Sequence, residues 1–231
     1  MEIYILDSLL RPVDIIDIFE SMVWTERFSS YGEFKLQLVS TTANRYRFVT
    51  GVKISITKSL RVMEVKTVED TIDEEGRKIL KVNGLEIISI FENRLALNKD
   101  VGGDILPTWF LPTMLPAEIM RHMVHKICVL GALSANDIIP LLVYDETLYA
   151  EGTIPEPIDP IDWEQKPSTL YSALRELSEI YDLGFRLYRD PNVSRLLFDI
   201  YAGSDRTTGQ AELPPVIFSQ DLENVLNTTE I

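Results

Sequence analysis

The stretch Glu33-Phe34-Lys35-Leu36-Gln37-Leu38 decides the fold class, and Val52-Lys53-Ile54-Ser55-Ile56-Thr57 repeats its pattern. Apolar Phe34, Leu36 and Leu38 alternate with Lys35 and Gln37, and Val52, Ile54 and Ile56 alternate with Lys53, Ser55 and Thr57. A period of two puts one set of side chains on a buried sheet face and the other in water. Both stretches therefore predict half-buried antiparallel strands. Outward from them, a turn at 58–60 leads into a strand at 62–68. A loop at 70–76 then leads into another at 78–83, so the region reads as a meander of hairpins. Gly84 is expected to end the strand pattern. Leu85, Ile88, Phe91 and Leu95 follow at helical spacing and predict a short helix capping the sheet.

The middle of the chain differs in kind. Eight of the twelve prolines fall between Pro107 and Pro167, which fixes backbone angles and disfavours long regular elements. An irregular segment with one helix is expected, from Pro116, a good first-turn residue, to Gly131, a good terminator. Regular structure returns after Pro167. Ser168 is expected to cap a helix striped by Leu170, Leu174, Leu177 and Tyr181, with Gly184 at its exit. Strands at 185–189 and 195–201 around Asp190-Pro191-Asn192 predict a hairpin. The expected class is α+β, mainly β. Its three parts are a β-rich unit at 1–98, a Pro-rich acidic insertion with one helix at 99–166, and a helix with a hairpin at 167–231.

Length and composition bound the function. A chain of 231 residues allows one large domain or two small ones. Thirty-six acidic against 22 basic residues leave a net charge of −14, which argues against a nucleic-acid binder, because phosphate contacts need clustered Lys and Arg. With 45% apolar residues the chain can bury a core. Its longest apolar run, 138–144, is broken by Pro140 and falls far short of the roughly 20 residues of a spanning helix. No export signal is visible at the start, and the lone Cys128 makes no disulfide framework. Residues 127–165 hold eight carboxylates, on Asp137, Asp145, Glu146, Glu151, Glu156, Asp159, Asp162 and Glu164, and no Lys or Arg. Such a segment is expected to face solvent or a cationic partner.

Candidate sites are few. Glu118, His122, His125 and Cys128 have the spacing of metal ligands on one helix. On a helical wheel, however, Ile119, Met120, Met123, Val124, Ile127 and Leu130 fill one side. Glu118, His122 and His125 fall opposite, beside Arg121 and Lys126, so surface histidines are the favoured reading over a metal site. Glu69, Asp70, Asp73, Glu74 and Glu75 offer oxygens but lack the alternating order of a calcium loop, and read as a solvated turn with Gly76. Ser55-Ile56-Thr57-Lys58 matches Ser-x-x-Lys but lies in a strand without the accompanying Lys-Thr-Gly. Trp24, Trp109 and Trp163 are candidates for sugar stacking, although isolated tryptophans are more often core residues. No cofactor motif is present, and no catalytic residue is assigned.

The linear pattern is more informative. Leu10-Arg11-Pro12-Val13, the run Trp24-Thr25-Glu26-Arg27-Phe28 with Gly32-Glu33-Phe34, and the loop Val68-Glu69-Asp70 to Asp73-Glu74-Glu75-Gly76-Arg77 lead it. Gly84-Leu85 with Asn93-Arg94, Tyr201-Ala202-Gly203-Ser204-Asp205-Arg206, and Phe218-Ser219 with Leu222-Glu223-Asn224 continue it. Together they resemble the minor tail proteins of long-tailed siphophages, of the tail-tip (baseplate) hub group. The resemblance implies β-barrel-like hub domains with peripheral insertions, assembled as a ring, a trimer, that closes the tail tube and joins it to the host-contacting tip. It implies distal tail, tape measure and tip or fibre proteins as neighbours and a place in the virion tail after assembly in the host cytoplasm. Some relatives carry wall-degrading activity in additional C-terminal domains, whereas the empty site inventory here predicts a structural part that is not an enzyme. Relatives of this group continue into further strands, which leaves open a missing part beyond Ile231. Strands 52–56 and 196–200 are expected near the joints of the ring. The rival readings are a tail-associated cell-wall hydrolase, for which Glu118, His122 and His125 are the available site, and a carbohydrate- or receptor-binding module.

Overall fold

The computed structural model describes residues 1–144, 159–190 and 192–203. The first unit contains strands β1 (Ile3–Leu6), β2 (Pro12–Ile16), β3 (Ser21–Thr25) and β4 (Glu33–Val39), a short helix α1 (Thr42–Arg47), and strands β5 (Lys53–Ile56), β6 (Met63–Ile72) and β7 (Lys78–Glu86). The seven strands form one antiparallel sheet in the order β2-β1-β5-β6-β7-β4-β3. That order forces curvature. The edge strands β2 and β3 are joined by residues 17–20, so Ile16 and Ser21 are at most about 18 Å apart. A flat sheet of seven strands would hold its edges about 29 Å apart. The sheet therefore curves, and its inner face collects Ile3, Phe34, Leu36, Leu38, Ile54, Met63, Val65, Leu80 and Val82 in one buried cluster. Phe48, just after α1, is buried in the same cluster.

Helix α1 is capped by the Thr41 hydroxyl, which accepts from the Asn44 N–H at 3.1 Å. It is tied down by polar contacts: Arg45 pairs with Asp70 of β6 at 3.0 Å and Arg47 with Asp14 of β2 at 2.8 Å. None of its six residues is buried.

Several expectations change here. Strand β5 is not half-buried, since Ser55 is as enclosed as Ile54 and Ile56. The strand lies inside the sheet, between β1 and β6, where both edges are occupied. Strand β6 runs on to Ile72, so Glu69 and Asp70 belong to a strand opposite Lys81 and Leu80, and the turn is only 73–77. Gly84 does not end β7; it lets the strand continue. A Cβ there would sit 2.1 Å from the Glu64 carbonyl oxygen and 2.3 Å from the Phe34 ring. The segment that follows, Ile87–Asn93, is a 3₁₀ helix with Ile87, Ile88 and Phe91 buried.

The second unit opens with β8 (Trp109–Met114), α2 (Pro116–Val124) and β9 (Leu142–Val143), and continues with β10 (Ile161–Gln165), α3 (Leu170–Tyr181), β11 (Leu183–Arg189) and β12 (Leu196–Ala202). Strands β8 and β10 pair as a two-stranded sheet inside the proline-rich region, which is thus more regular than its composition predicts. Helix α2 ends at Val124 and widens into a π turn over His125–Val129, with Gly131 beyond it at φ 62°. Thr169, not Ser168, caps α3: its hydroxyl accepts from the Ser172 N–H. At the other end Asp182, at φ 51°, makes the left-handed exit expected of Gly184. Gly184 sits in β11 because a side chain there would meet the rings of Phe28 and Tyr201. The hairpin β11–β12 is in register from Leu183↔Ala202 to Arg189↔Leu196. It gains β9 as a parallel partner of β12, so β12 is internal and not at an edge.

The second core lies where these elements meet. Leu170, Leu174 and Leu177 of α3 are wholly buried against Ile119, Met120 and Met123 of α2 and Phe185, Leu187, Phe198 and Ile200 of the hairpin. Burying the three α3 leucines alone stabilises the helix in place by about 6 kcal/mol. Leu6, Leu10 and Val62 of the first unit and Trp109 and Leu111 of β8 enter the same cluster, so this core draws on sequence from one end of the described chain to the other. The molecule is mainly β, with mostly antiparallel sheets and three short α-helices among the described residues.

Candidate functional site

The helix singled out by sequence does not bring its ligand candidates together. Glu118 turns back on its own helix start, where its carboxylate accepts from the Leu115 N–H at 3.0 Å. His122 lies against the Trp109 ring at 5.8 Å. Burial lowers its imidazole below the ordinary value, and Lys126 and His125 act in the same direction. His125 stacks on Tyr144 at 4.3 Å. The face is not the solvated one expected: both histidines are half-buried and Arg121 is only 6% exposed. The wheel of an isolated helix leaves this face open, but in the fold Trp109 of β8 lies over His122 and Tyr144 over His125. Cys128 is buried, and burial pushes its thiol up to about 12, so it is a packing residue and not a nucleophile. Among the described residues no three His, Cys, Asp or Glu side chains converge as a metal site.

The other candidates resolve into structural roles. Asp73 organises its turn: its Oδ1 accepts from the N–H groups of Glu75 and Arg77, and its Oδ2 from Arg77 Nε at 2.7 Å. Asp7 does the same with the N–H groups of Leu9 and Arg11 and the Arg11 side chain. Asp190 repeats the device with the Asn192 N–H and Arg195. These hydrogen bonds, first of all those from backbone N–H groups, hold all three carboxyls below the usual range. Asp70 is committed to Ser40 and Arg45, so the acidic group around it forms no cage for a cation. Ser55 is buried between strands. Trp24 stacks on Phe34, Trp109 is buried, and Trp163 packs on the second core while its indole N–H donates to Gln165. Within 127–165, Asp137 pairs with Arg94 at 3.7 Å and Asp162 accepts from the Thr113 N–H. Asp145, Glu146, Glu151 and Glu156 lie outside the described residues, as do Pro191 of the hairpin turn and every motif residue from Ser204 onward.

The cluster that sequence reasoning missed is at the joint of the two units. Arg61, 5% exposed, and Glu86, fully enclosed, form a buried ion pair. Arg61 Nη1 donates to both Glu86 oxygens, at 2.9 and 2.8 Å, and Glu86 Oε2 also accepts from the Gly32 N–H at 2.9 Å. Arg61 Nη2 reaches the Arg27 carbonyl at 3.2 Å and the Tyr201 hydroxyl at 3.0 Å, and Glu26 lies 3.3 Å from Nε. One guanidinium thus ties β7, the loop after β3, and β12. Burial pushes the Glu86 carboxyl above the ordinary carboxylate range, against the pull of Arg61 and of the Gly32 N–H. Burial opposes the charge of Arg61, but Glu86, Tyr201 and Glu26 outweigh it and hold the guanidinium firmly charged.

Around this pair Phe28 meets the Tyr201 ring edge-on at 5.4 Å, Arg186 lies over the same ring at 4.7 Å, and the Arg189 N–H donates to the Leu60 carbonyl at 2.8 Å. The pair is sealed and offers no open position to a substrate, so its chemistry is that of a rivet between sheets. A signal for it exists in the sequence: Glu86 is a lone carboxylate in the otherwise apolar run Leu85 to Ile88, where an unpaired charge would be very costly.

A family model described as Siphovirus ReqiPepy6 Gp37-like protein matches residues 2–229. A comparison with curated proteins found no match. Among solved structures, similarity extends to the Escherichia coli c3393 protein, described as a component of the type VI secretion system with structural similarity to the T4 bacteriophage tail proteins gp27 and gp5. The identity is 10% and the TM-score 0.47, over 86% of this chain and 48% of that one. A tail protein from Neisseria meningitidis MC58 matches at 11% identity and a TM-score of 0.42, over 73% of this chain and 41% of that one. The chain spans less than half the length of either structure.

Proposed function

Since the chain belongs to the Siphovirus ReqiPepy6 Gp37-like protein family, we propose that it is a structural component of the siphophage tail tip. It forms a hub ring that closes the tail tube and connects it to the host-contacting tip. The observation that carries this reading is the extent of the family match, from residue 2 to residue 229. The architecture agrees with it. The one elaborate polar cluster described above is a sealed joint, suited to fixing the shape of a subunit.

Three copies make up the ring in this reading, with distal tail, tape measure and tip or fibre proteins as neighbours, and the protein acts without catalysis. It is assembled in the host cytoplasm and carried in the virion tail. The parts 1–98, 99–166 and 167–231 serve as successive assembly surfaces on a shared core. Among the described residues strands β2 and β3 are the unpaired edges of the seven-stranded sheet, and Val13 and Val23 on them are exposed apolar side chains. Open edges of this kind are covered by neighbours in an assembly. They replace 52–56 and 196–200 as the strands at the joints of the ring. A net charge of −14 suits a part that lets DNA pass without holding it. Among the described residues no helix is long and apolar enough to cross a membrane.

The test is a reconstruction of the assembled tail tip by electron cryomicroscopy. The chain is expected in an axial ring whose copy number is a multiple of three. A position outside that ring, or another copy number, refutes the reading.

A further inference from the structure

The link between β2 and β3 leaves a groove of about 400 Å³ where the curled sheet fails to meet itself, with the end of β4 and helix α1 as its other wall. Its lining is apolar on the inside. Ile15 and Val39 line it from the flanking strands, Phe19 packs onto the first core beneath it, and Ile18 stands 83% exposed at its mouth. Helix α1, on the far side, buries none of its own residues. Its Arg47 is already paired with Asp14. The remaining charges at the rim are Asp17 and Glu20, both exposed, and neither has an ion-pair partner among the described residues.

An apolar floor under an acidic lip selects its occupant by both properties. From this we propose that the groove between the β2–β3 link and α1 docks a segment of a different protein, one carrying an aliphatic or aromatic anchor flanked by Lys or Arg. The anchor covers Ile15, Ile18 and Val39, and the flanking cations neutralise Asp17 and Glu20. A second copy of this chain is the poorer fit at this one site, because acidic residues outnumber basic ones in it by 36 to 22, whereas two unneutralised carboxylates on the lip select a cation-rich segment. Apolar anchors provide most of the affinity at such a site, and the rim charges select the partner and speed its arrival.

This inference rests on the tail reading, and the experiment separates the two. Ile18 is replaced in the full chain by a photo-reactive benzoylphenylalanine, phage are assembled with it, purified tails are irradiated, and the cross-linked peptides are sequenced by mass spectrometry. The expected product joins position 18 to an apolar residue of another tail protein with Lys or Arg within a turn or two of chain. Its yield should fall about fivefold when Asp17→Lys and Glu20→Lys are added, as two rim ion pairs are lost. It should also fall as salt is raised. A cross-link to a second copy of this chain, a partner segment without basic residues, a yield indifferent to the two charge reversals, or no cross-link in tails that contain the chain overturns the docking proposal and leaves the tail reading standing. Tails that lack the chain altogether overturn both.

Discussion

Removing the Glu86 charge tests whether the two units are held together by the buried pair or only by the apolar core around it. In Glu86→Gln the amide oxygen still accepts from Gly32, at 2.9 Å in the native protein. The Arg61 guanidinium, 5% exposed, loses its two bonds of 2.9 and 2.8 Å to a carboxylate. Breaking one side of a buried pair costs about 3–5 kcal/mol. Glu26 remains 3.3 Å from Nε, with its own side chain 38% exposed, so the lower end applies and the expected loss is about 3 kcal/mol. For a chain of this size that is a fall of roughly 6–12 °C in Tm.

Arg61→Met should cost as much, with a pH signature of its own. The carboxyl of Glu86, already raised by burial, rises further without its cation, so the folded state binds a proton that the unfolded chain has released. Stability of Arg61→Met therefore falls as pH rises from the ordinary Glu range up to the raised value. The double variant Arg61→Met with Glu86→Gln should lose less than the sum of the two single losses, because neither charge is left unpaired. Urea unfolding of the four proteins measures all of this. Single losses below about 1 kcal/mol, or additive losses in the cycle, would show that the pair is not a rivet.

Gly84→Ala places a methyl group 2.1 Å from the Glu64 carbonyl oxygen and 2.3 Å from the Phe34 ring. A loss of about 2 kcal/mol or more in urea unfolding is expected, and a neutral outcome refutes the close approach. For Asp7, Asp73 and Asp190, all held below the ordinary carboxylate range, the unfolded chain binds protons first. Stability present at neutral pH is thus lost as pH falls from the ordinary Asp range toward the lowered values. The urea midpoint of Asp73→Asn should fall less steeply over that window than that of the native protein, and identical slopes count against the turn device. His122→Ala with His125→Ala should cost about 1 kcal/mol, more than an exposed pair, since the rings lie on Trp109 and Tyr144. A calorimetric difference under about 0.5 kcal/mol would return them to the surface.

What could be read from the chain alone was whatever is written in nearest neighbours. Phe34, Leu36 and Leu38 declare a strand because one face of β4 is wet, and Leu170, Leu174 and Leu177 declare a helix because α3 buries a single stripe. Strand β5 misled because it is enclosed on both faces and Ser55 carries no sign of it. In sequence Gly84 reads as punctuation, whereas its missing side chain makes room for Phe34, fifty residues earlier. The pairing of β8 with β10 is equally illegible locally: Phe110 meets Glu164 across a stretch of prolines, and no local period records it. The candidate site followed suit. The spacing of Glu118, His122 and His125 was visible, but the cover on the two histidines comes from Trp109 and Tyr144, remote residues that no local pattern announces. Arg61 and Glu86 are partners only through the folded sheet.

The strand order of the first sheet also sets a schedule. Pairs β1–β2, β3–β4 and β6–β7 are neighbours along the chain and can zip as hairpins within microseconds of being made. The stitches that join them are remote, since Ile3 must wait for Ile56 and Phe34 for Gly84. At about 5–20 residues per second, the ribosome needs roughly 3–10 s to deliver either partner. For that interval the β1–β2 hairpin holds Ile3, Ile5 and Ile16, all buried in the finished fold, with nothing to cover them. Each newly made subunit is thus most prone to join the wrong chain before its own β5 exists, and crowding many copies on one message would lower the yield of folded protein well before any step of particle assembly.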